Sequence, residues 1–196
     1  MQIIEWQDFI KKNISSDKKP VSMTIGIFDG VHRGHQVLIK RIVSYNTEFT
    51  PAVVTFRQNP KTMSNEQLAV SNEQCDIQTF QQRLAMFEKI GVQIVIVIDF
   101  SEEFKQMRGA EFLQILLDHV NIGFFAVGSD FRCGYQLDTD AEVIKKFFNS
   151  YNIPTEIIPQ VTEDSLPISS SRIRAAIAAG ELTLVKLMLG HDIVTF

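Results

Sequence analysis

The sequence is short of the residues that several common protein classes depend on. It holds two cysteines, Cys75 and Cys133, in 196 residues. They are too few and too isolated for a disulfide framework or a zinc site, and they suit a reducing cytoplasm. Long hydrophobic runs are missing as well. No uninterrupted apolar stretch is longer than Ile94–Ile98, far below the roughly 20 residues of a membrane-spanning helix. At the start of the chain Ile3, Ile4, Trp6 and Phe9 are interleaved with Glu5 and Asp8, which is not the apolar core of a secretory signal. There is no basic excess: 19 Lys and Arg against 23 Asp and Glu give a net charge of −4. The whole-molecule field therefore favours neither nucleic acid nor an anionic membrane as partner. Internal repeats and low-complexity tracts are absent too.

What is present is the composition of a globular protein, 45% hydrophobic and 21% charged. The length suits one domain over residues 1–196, enough to bury about two-thirds of the unfolded surface. Strand-like and helix-like segments alternate. Apolar, β-branched runs at 21–28, 51–56, 94–98, 123–127 and 155–158 read as strands. Helical periodicity covers 34–45, 78–90, 110–120, 142–151, 169–179 and 182–189, the last two separated at Gly180. This order predicts an α/β fold, a five-stranded parallel sheet with helices on both faces. The stretch Asn59–Gln78 is polar and aperiodic and reads as a mobile loop.

The first chemical signal is Gly26-Ile27-Phe28-Asp29-Gly30-Val31-His32-Arg33-Gly34-His35, which joins the first of these strands to a helix. A glycine-bearing turn there leaves the unpaired N–H groups of the first helical turn facing outward. Their donors and the positive dipole end together make a phosphate site. His32 and His35 flank it. The second signal is Ile168-Ser169-Ser170-Ser171-Arg172-Ile173-Arg174. A helix cap explains one serine. It leaves unexplained three successive hydroxyls and two arginines in a first turn, where cations oppose the dipole unless an anion is bound. Two further segments follow strands: Val127-Gly128-Ser129-Asp130-Phe131-Arg132-Cys133-Gly134 and Thr55-Phe56-Arg57-Gln58-Asn59-Pro60.

Together these segments resemble the HxGH nucleotidyltransferases. GxFDGVHxGH in particular is similar to the bacterial FAD synthase (FMN adenylyltransferase) family, and Ile168–Arg174 resembles the superfamily's ISSTxIR motif, with Ser171 in the threonine position. The resemblance spans Val21 to Gly190 and implies a Rossmann-like nucleotidyltransferase fold. The activity it implies is transfer of AMP from ATP to FMN, giving FAD and pyrophosphate, with Mg2+ carried by the ATP phosphates rather than by a protein cage. The residues implied as catalytic are His32, His35, Ser170 and Arg174. Those implied at ATP are Gly26, Ile27, Phe28, Asp29, Gly30, Gly34, Gly128, Asp130, Ser169, Ser171 and Arg172, with Asp29 fixing the turn rather than moving protons. At the flavin they are Thr55, Phe56, Arg57, Asn59, Phe131 and Arg132. Many relatives continue into a riboflavin kinase barrel. Since this chain ends at Phe196, a separate kinase is expected to supply FMN unless the chain is one domain of a longer product.

The chain departs from the family pattern in two places. Gln58 and Asn59 stand where TFxPHP has Pro and His, and Cys133 with Tyr135–Asp140 replaces an aromatic residue and a basic, glycine-bearing loop. Two alternatives therefore stay open beside the flavin reading: a transferase acting on another phosphorylated acceptor, and a flavin- or nucleotide-binding protein with poor turnover.

Overall fold

The apolar runs become the strands of one parallel sheet. The structure, a computed structural model, describes residues 1–11, 19–58 and 76–192. In chain order the strands are β1 (Gln2–Glu5), β2 (Val21–Ile25), β3 (Thr50–Phe56), β4 (Ile94–Ile98) and β5 (Ile122–Gly128), then a short ribbon of β6 (Arg132–Cys133) with β7 (Thr139–Asp140). After these come β8 (Thr155–Ile158) and a second ribbon, β9 (Thr162–Glu163) with β10 (Leu166–Pro167). The sheet holds six strands in the order β1-β4-β3-β2-β5-β8, and all five pairings are parallel.

The apolar runs alone predict five strands; the sixth is β1. It escapes a hydrophobicity reading because it is a four-residue edge strand with polar ends and with Ile3 47% exposed. What holds it is pairing with β4, Gln2 opposite Ile94. The helix α1 (Trp6–Phe9) that follows also anchors it, by burying Trp6 and Phe9 in the core.

The strands β3, β4 and β5 are largely apolar on both sides because helices cover both faces. Successive side chains of a strand point to opposite faces, so Ile96 and Ile98 of β4 enter one layer and Val95 and Val97 the other. The first layer packs α1, α5 (Gly109–His119) and α6 (Ala141–Ser150) through Phe112, Leu116, Ile144 and Phe148. The second packs α2 (Arg33–Ser44) and α3 (Phe80–Ile90) through Leu38, Ile42, Leu84 and Phe87. A five-residue helix, α4 (Glu102–Gln106), follows β4. The closing pair α7 (Ser170–Ala178) and α8 (Leu182–Leu189) forms a third, smaller cluster around Ile173, Val185 and Met188. Among the described residues no helix is long and apolar enough to cross a membrane.

From β2 the chain builds toward β3, β4 and β1 on one side and toward β5 and β8 on the other, so the direction of winding reverses between β2 and β5. In such sheets the crevice beyond the strand ends at that point is the ligand site. A buried cation supports it from behind. Arg83 of α3 is 1% exposed; its Nη1 donates to the Ile27 carbonyl at 2.6 Å and its Nη2 to the Arg57 carbonyl at 2.8 Å. The segments leaving β2 and β3 are thereby tied to one helix. Replacing Arg83 by Met removes the donor from the Arg57 carbonyl and leaves the Ile27 carbonyl with the Thr55 hydroxyl alone. The expected loss of stability is about 2–4 kcal/mol in urea unfolding, and a change below about 0.5 kcal/mol would contradict this role.

Candidate active site

The turn after β2 has an unusual backbone. Phe28, Gly30 and Val31 have φ of 56°, 81° and 35°, and left-handed backbone at the two non-glycine residues costs of order 1–3 kcal/mol each. The conformation folds the Phe28 ring inward, 1% exposed, edge-on to His35 at 5.2 Å and to Phe87 at 5.6 Å. Gly26 is required by this ring: a Cβ there would lie 2.9 Å from its edge. The glycine thus makes room for a side chain of the turn itself.

Asp29 holds the turn. Its Oδ1 accepts from the backbone N–H of Ile77 at 2.9 Å and of Gln78 at 3.3 Å. Its Oδ2 accepts from Arg174 of α7 in a close ion pair whose side chains are 2% and 14% exposed. Its carbonyl accepts from the Ser170 hydroxyl at 2.9 Å. Burial pushes the Asp29 carboxyl above its ordinary value, opposed by Arg174. Segments 141 and 145 residues apart are therefore joined through one residue. On the outer side of the turn, His191 Nε2 lies 3.0 Å from the Gly30 carbonyl.

The two imidazoles stack, ring centres 3.5 Å apart and planes 18° from parallel. His32 is the N-cap of α2, and its Nδ1 accepts from the His35 N–H at 3.3 Å. An imidazole that accepts at Nδ1 carries its proton on Nε2, so His32 caps the helix and keeps one donor. Gly34 allows this, because a Cβ there would sit 3.2 Å from the His32 ring. Burial lowers His32 to about 4, with Asp130 pulling weakly the other way. Burial pushes His35 well below its ordinary value too, helped by His32 and Arg83. The site thus presents a neutral imidazole pair at a helix N-terminus.

Both motifs open on one cavity of about 400 Å3 at the carboxyl ends of the strands. His32, His35, Ser170 and Arg174 all line it. So do Gly26, Ile27, Phe28, Asp29, Gly34, Gly128, Asp130, Ser169 and Ser171, and on the opposite side Phe56, Phe131 and Arg132. Four other sequence candidates lie elsewhere. Gly30 faces Ile77 and Leu189. Thr55 is fully buried with its hydroxyl on the Ile27 carbonyl at 3.2 Å. Arg57 pairs with Glu5 at 2.6 Å and Asp99 at 2.9 Å, because the edge strand β1 brings Glu5 beside it. Arg172 donates to the carbonyls of Glu163 and Leu166, each at 2.9 Å, and so holds the β9–β10 ribbon. Asn59, and the predicted loop up to position 75, lie outside the described residues.

Sequence reasoning missed an apolar wall formed by Phe100, Phe104, Met107 and Phe112, with Lys105 beside it. The rings of Phe56, Phe100, Phe104 and Phe112 contact one another with centres 5.8–6.0 Å apart. A signal existed. Every recognised motif follows the carboxyl end of a strand, and the same rule applied to Ile94–Ile98 leads to this segment.

A sheet with its crevice at the reversal point, two helix N-termini facing one cavity and a neutral histidine pair give a site whose donors suit an anionic group. A family model described as FAD synthetase matches residues 14–172, and the chain belongs to that family. It is 28% identical over 170 residues to the bifunctional riboflavin kinase/FMN adenylyltransferase of Escherichia coli K12, covering 86% of this chain and 54% of that protein. It is 27% identical over 178 residues to the FAD synthetase of Listeria monocytogenes, covering 90% of this chain and 71% of that protein. Among solved structures, one described as a macrolide-efflux protein from Streptococcus pneumoniae superposes with a TM-score of 0.80 at 25% identity, covering 98% of this chain and 72% of that one. The chain spans little more than half the length of the bifunctional relatives it matches.

The buried neutral His32 has a consequence for stability. Its folded pKa lies below the unfolded value of 6.5, so as pH falls from 6.5 toward 4 the unfolded chain takes up a proton that the native state refuses, and stability is lost over that window. Between pH 7 and 5 wild type should lose about 2 kcal/mol relative to His32→Asn in urea unfolding. An unchanged difference between the two proteins would contradict a buried neutral ring.

Proposed function

We propose that the protein is an FMN adenylyltransferase, transferring AMP from ATP to FMN to give FAD and pyrophosphate. The observation that carries this reading is the single cavity, with phosphate-binding groups from two distant motifs on one side and a wall of aromatic rings on the other. Family membership supports it. A planar apolar ring system fits the Phe56–Phe100–Phe104 wall, and a polyphosphate fits the two helix N-termini.

An oxygen of the FMN phosphate attacks the α-phosphorus in line. That P–O bond forms as the bond to the β-phosphate bridging oxygen breaks, and pyrophosphate leaves with the electron pair. No enzyme nucleophile is required, so catalysis rests on position and on stabilising charge. His32 donates through Nε2–H, beside His35 and the first-turn N–H groups of α2, to oxygens around the α-phosphate. Ser171 and Arg174 hold the β- and γ-phosphates from α7, while Ser170 and Asp29 keep α7 against the turn. Neutral imidazoles suit this role, because they donate hydrogen bonds without the strong counter-ion that would trap pyrophosphate.

Mg2+ fits as a passenger of the nucleotide. Among the described residues no group of three His, Cys, Asp or Glu is placed to hold it, and Asp29 is committed to Arg174 and two amides, leaving Asp130 as the carboxylate facing the cavity. When bound, the ion would offset charge on the phosphates. In this reading residues 1–196 act as one nucleotidyltransferase domain in the cytoplasm, with small-molecule substrates and FMN supplied by a riboflavin kinase activity.

Incubation with ATP, Mg2+ and FMN, followed by chromatography, should yield FAD and pyrophosphate in equal amounts. His32→Ala and His35→Ala should each lower kcat about 100-fold or more with the fold retained by circular dichroism. ATP turnover only with a different phosphorylated acceptor, or binding without product, would overturn the flavin reading.

A further inference from the structure

The pair α7–α8 has its own small apolar cluster, separate from the two that sandwich the sheet. Its position against the turn that opens α2 is fixed at one point by Asp29 with Ser170 and Arg174, and further along by polar contacts between the helices themselves. Three side chains supply these. Gln36 Nε2 donates to the Val31 carbonyl at 2.9 Å and the Leu189 carbonyl at 2.7 Å. Arg33 donates to the Leu187 carbonyl at 3.2 Å and makes a close ion pair with Glu163 of β9. Glu163 is held from the other side as well, since its own carbonyl accepts from Arg172 of α7 at 2.9 Å.

We propose that Glu163 is a second positioning residue, beside Asp29, that keeps the two phosphate-binding motifs at their working separation by joining Arg33 of the histidine motif to Arg172 of the serine motif. Both arginines occupy positions between the residues that face the cavity: Arg33 stands between His32 and His35, and Arg172 between Ser171 and Arg174. Neither guanidinium has to touch substrate for its loss to matter. The Glu163 carboxylate is one-fifth exposed, so the pair is less screened than a fully exposed one. The inference rests on the phosphate site of the proposed reaction and deepens it.

The test combines steady-state kinetics with calorimetric binding of inorganic pyrophosphate in the presence of Mg2+. Glu163→Ala and Arg33→Ala should each lower kcat and pyrophosphate affinity about 10- to 100-fold, with KM for FMN within about twofold of wild type. Glu163→Gln, which keeps an acceptor, should fall between. The double variant should be no worse than the poorer single one. Glu156→Gln breaks the other Arg–Glu pair of α2, that with Arg41, and should change neither quantity. Additive losses overturn the proposal, as do wild-type kcat and pyrophosphate affinity in variants whose melting temperature falls. A wild-type protein that makes no FAD but shows this pattern in pyrophosphate binding refutes the flavin reading and leaves Glu163 in place. A wild-type protein that binds no pyrophosphate overturns both.

Discussion

The site depends on one buried carboxylate. Asp29 takes two backbone N–H groups and a guanidinium on its oxygens and a serine hydroxyl on its carbonyl. A carboxylate this deeply buried is tolerated only when its lone pairs are met and a counter-charge is near. The same partners explain how the chain sustains left-handed backbone at Phe28 and Val31. The strain sits where the surrounding structure over-determines it, between a sheet strand and a helix that it caps. Because the counter-charge comes from Arg174, the far end of the chain must be in place for the turn to be satisfied. The binding site is complete only in the fully folded protein.

From that constraint the chemistry of the cavity follows. The turn delivers His32 to the N-terminus of α2 as a cap, and capping uses Nδ1 as acceptor. That fixes the tautomer, and burial keeps the ring neutral. Ser171 and Arg174 reach the same cavity from α7. The opposite wall is built largely by the rings of Phe56, Phe100, Phe104 and Phe112, with Met107 and Lys105 among them. Polar donors on one side and rings on the other match the two halves of the proposed reaction, a polyphosphate and a planar heterocycle.

Much of this was legible in the sequence, for identifiable reasons. The buried strands are continuous apolar runs, and Ile94–Ile98 and Thr155–Ile158 are found with the same bounds in the structure. The histidine and serine motifs are local, strand or ribbon followed by helix, so their residues announce themselves. What was not legible is non-local. β1 is half exposed and is recognisable only through its pairing with β4. Arg57 and Arg172 look like ligands for anions because they are cationic and beside motifs. The fold supplies each with protein acceptors instead: Glu5 and Asp99 for the one, ribbon carbonyls for the other. The aromatic wall has the composition of ordinary core, and only the position of its segment after β4 sets it apart.

The central claim is that Asp29 and Arg174 act as one unit that holds the two motifs together, and a double-mutant cycle in urea unfolding at pH 7 tests it most directly. Arg174→Met should cost about 3–5 kcal/mol by stranding a buried charge. Asp29→Asn made in that background should restore a large part of the loss, giving a coupling energy above about 1 kcal/mol. Losses that simply add, with no recovery in the double variant, would contradict the account.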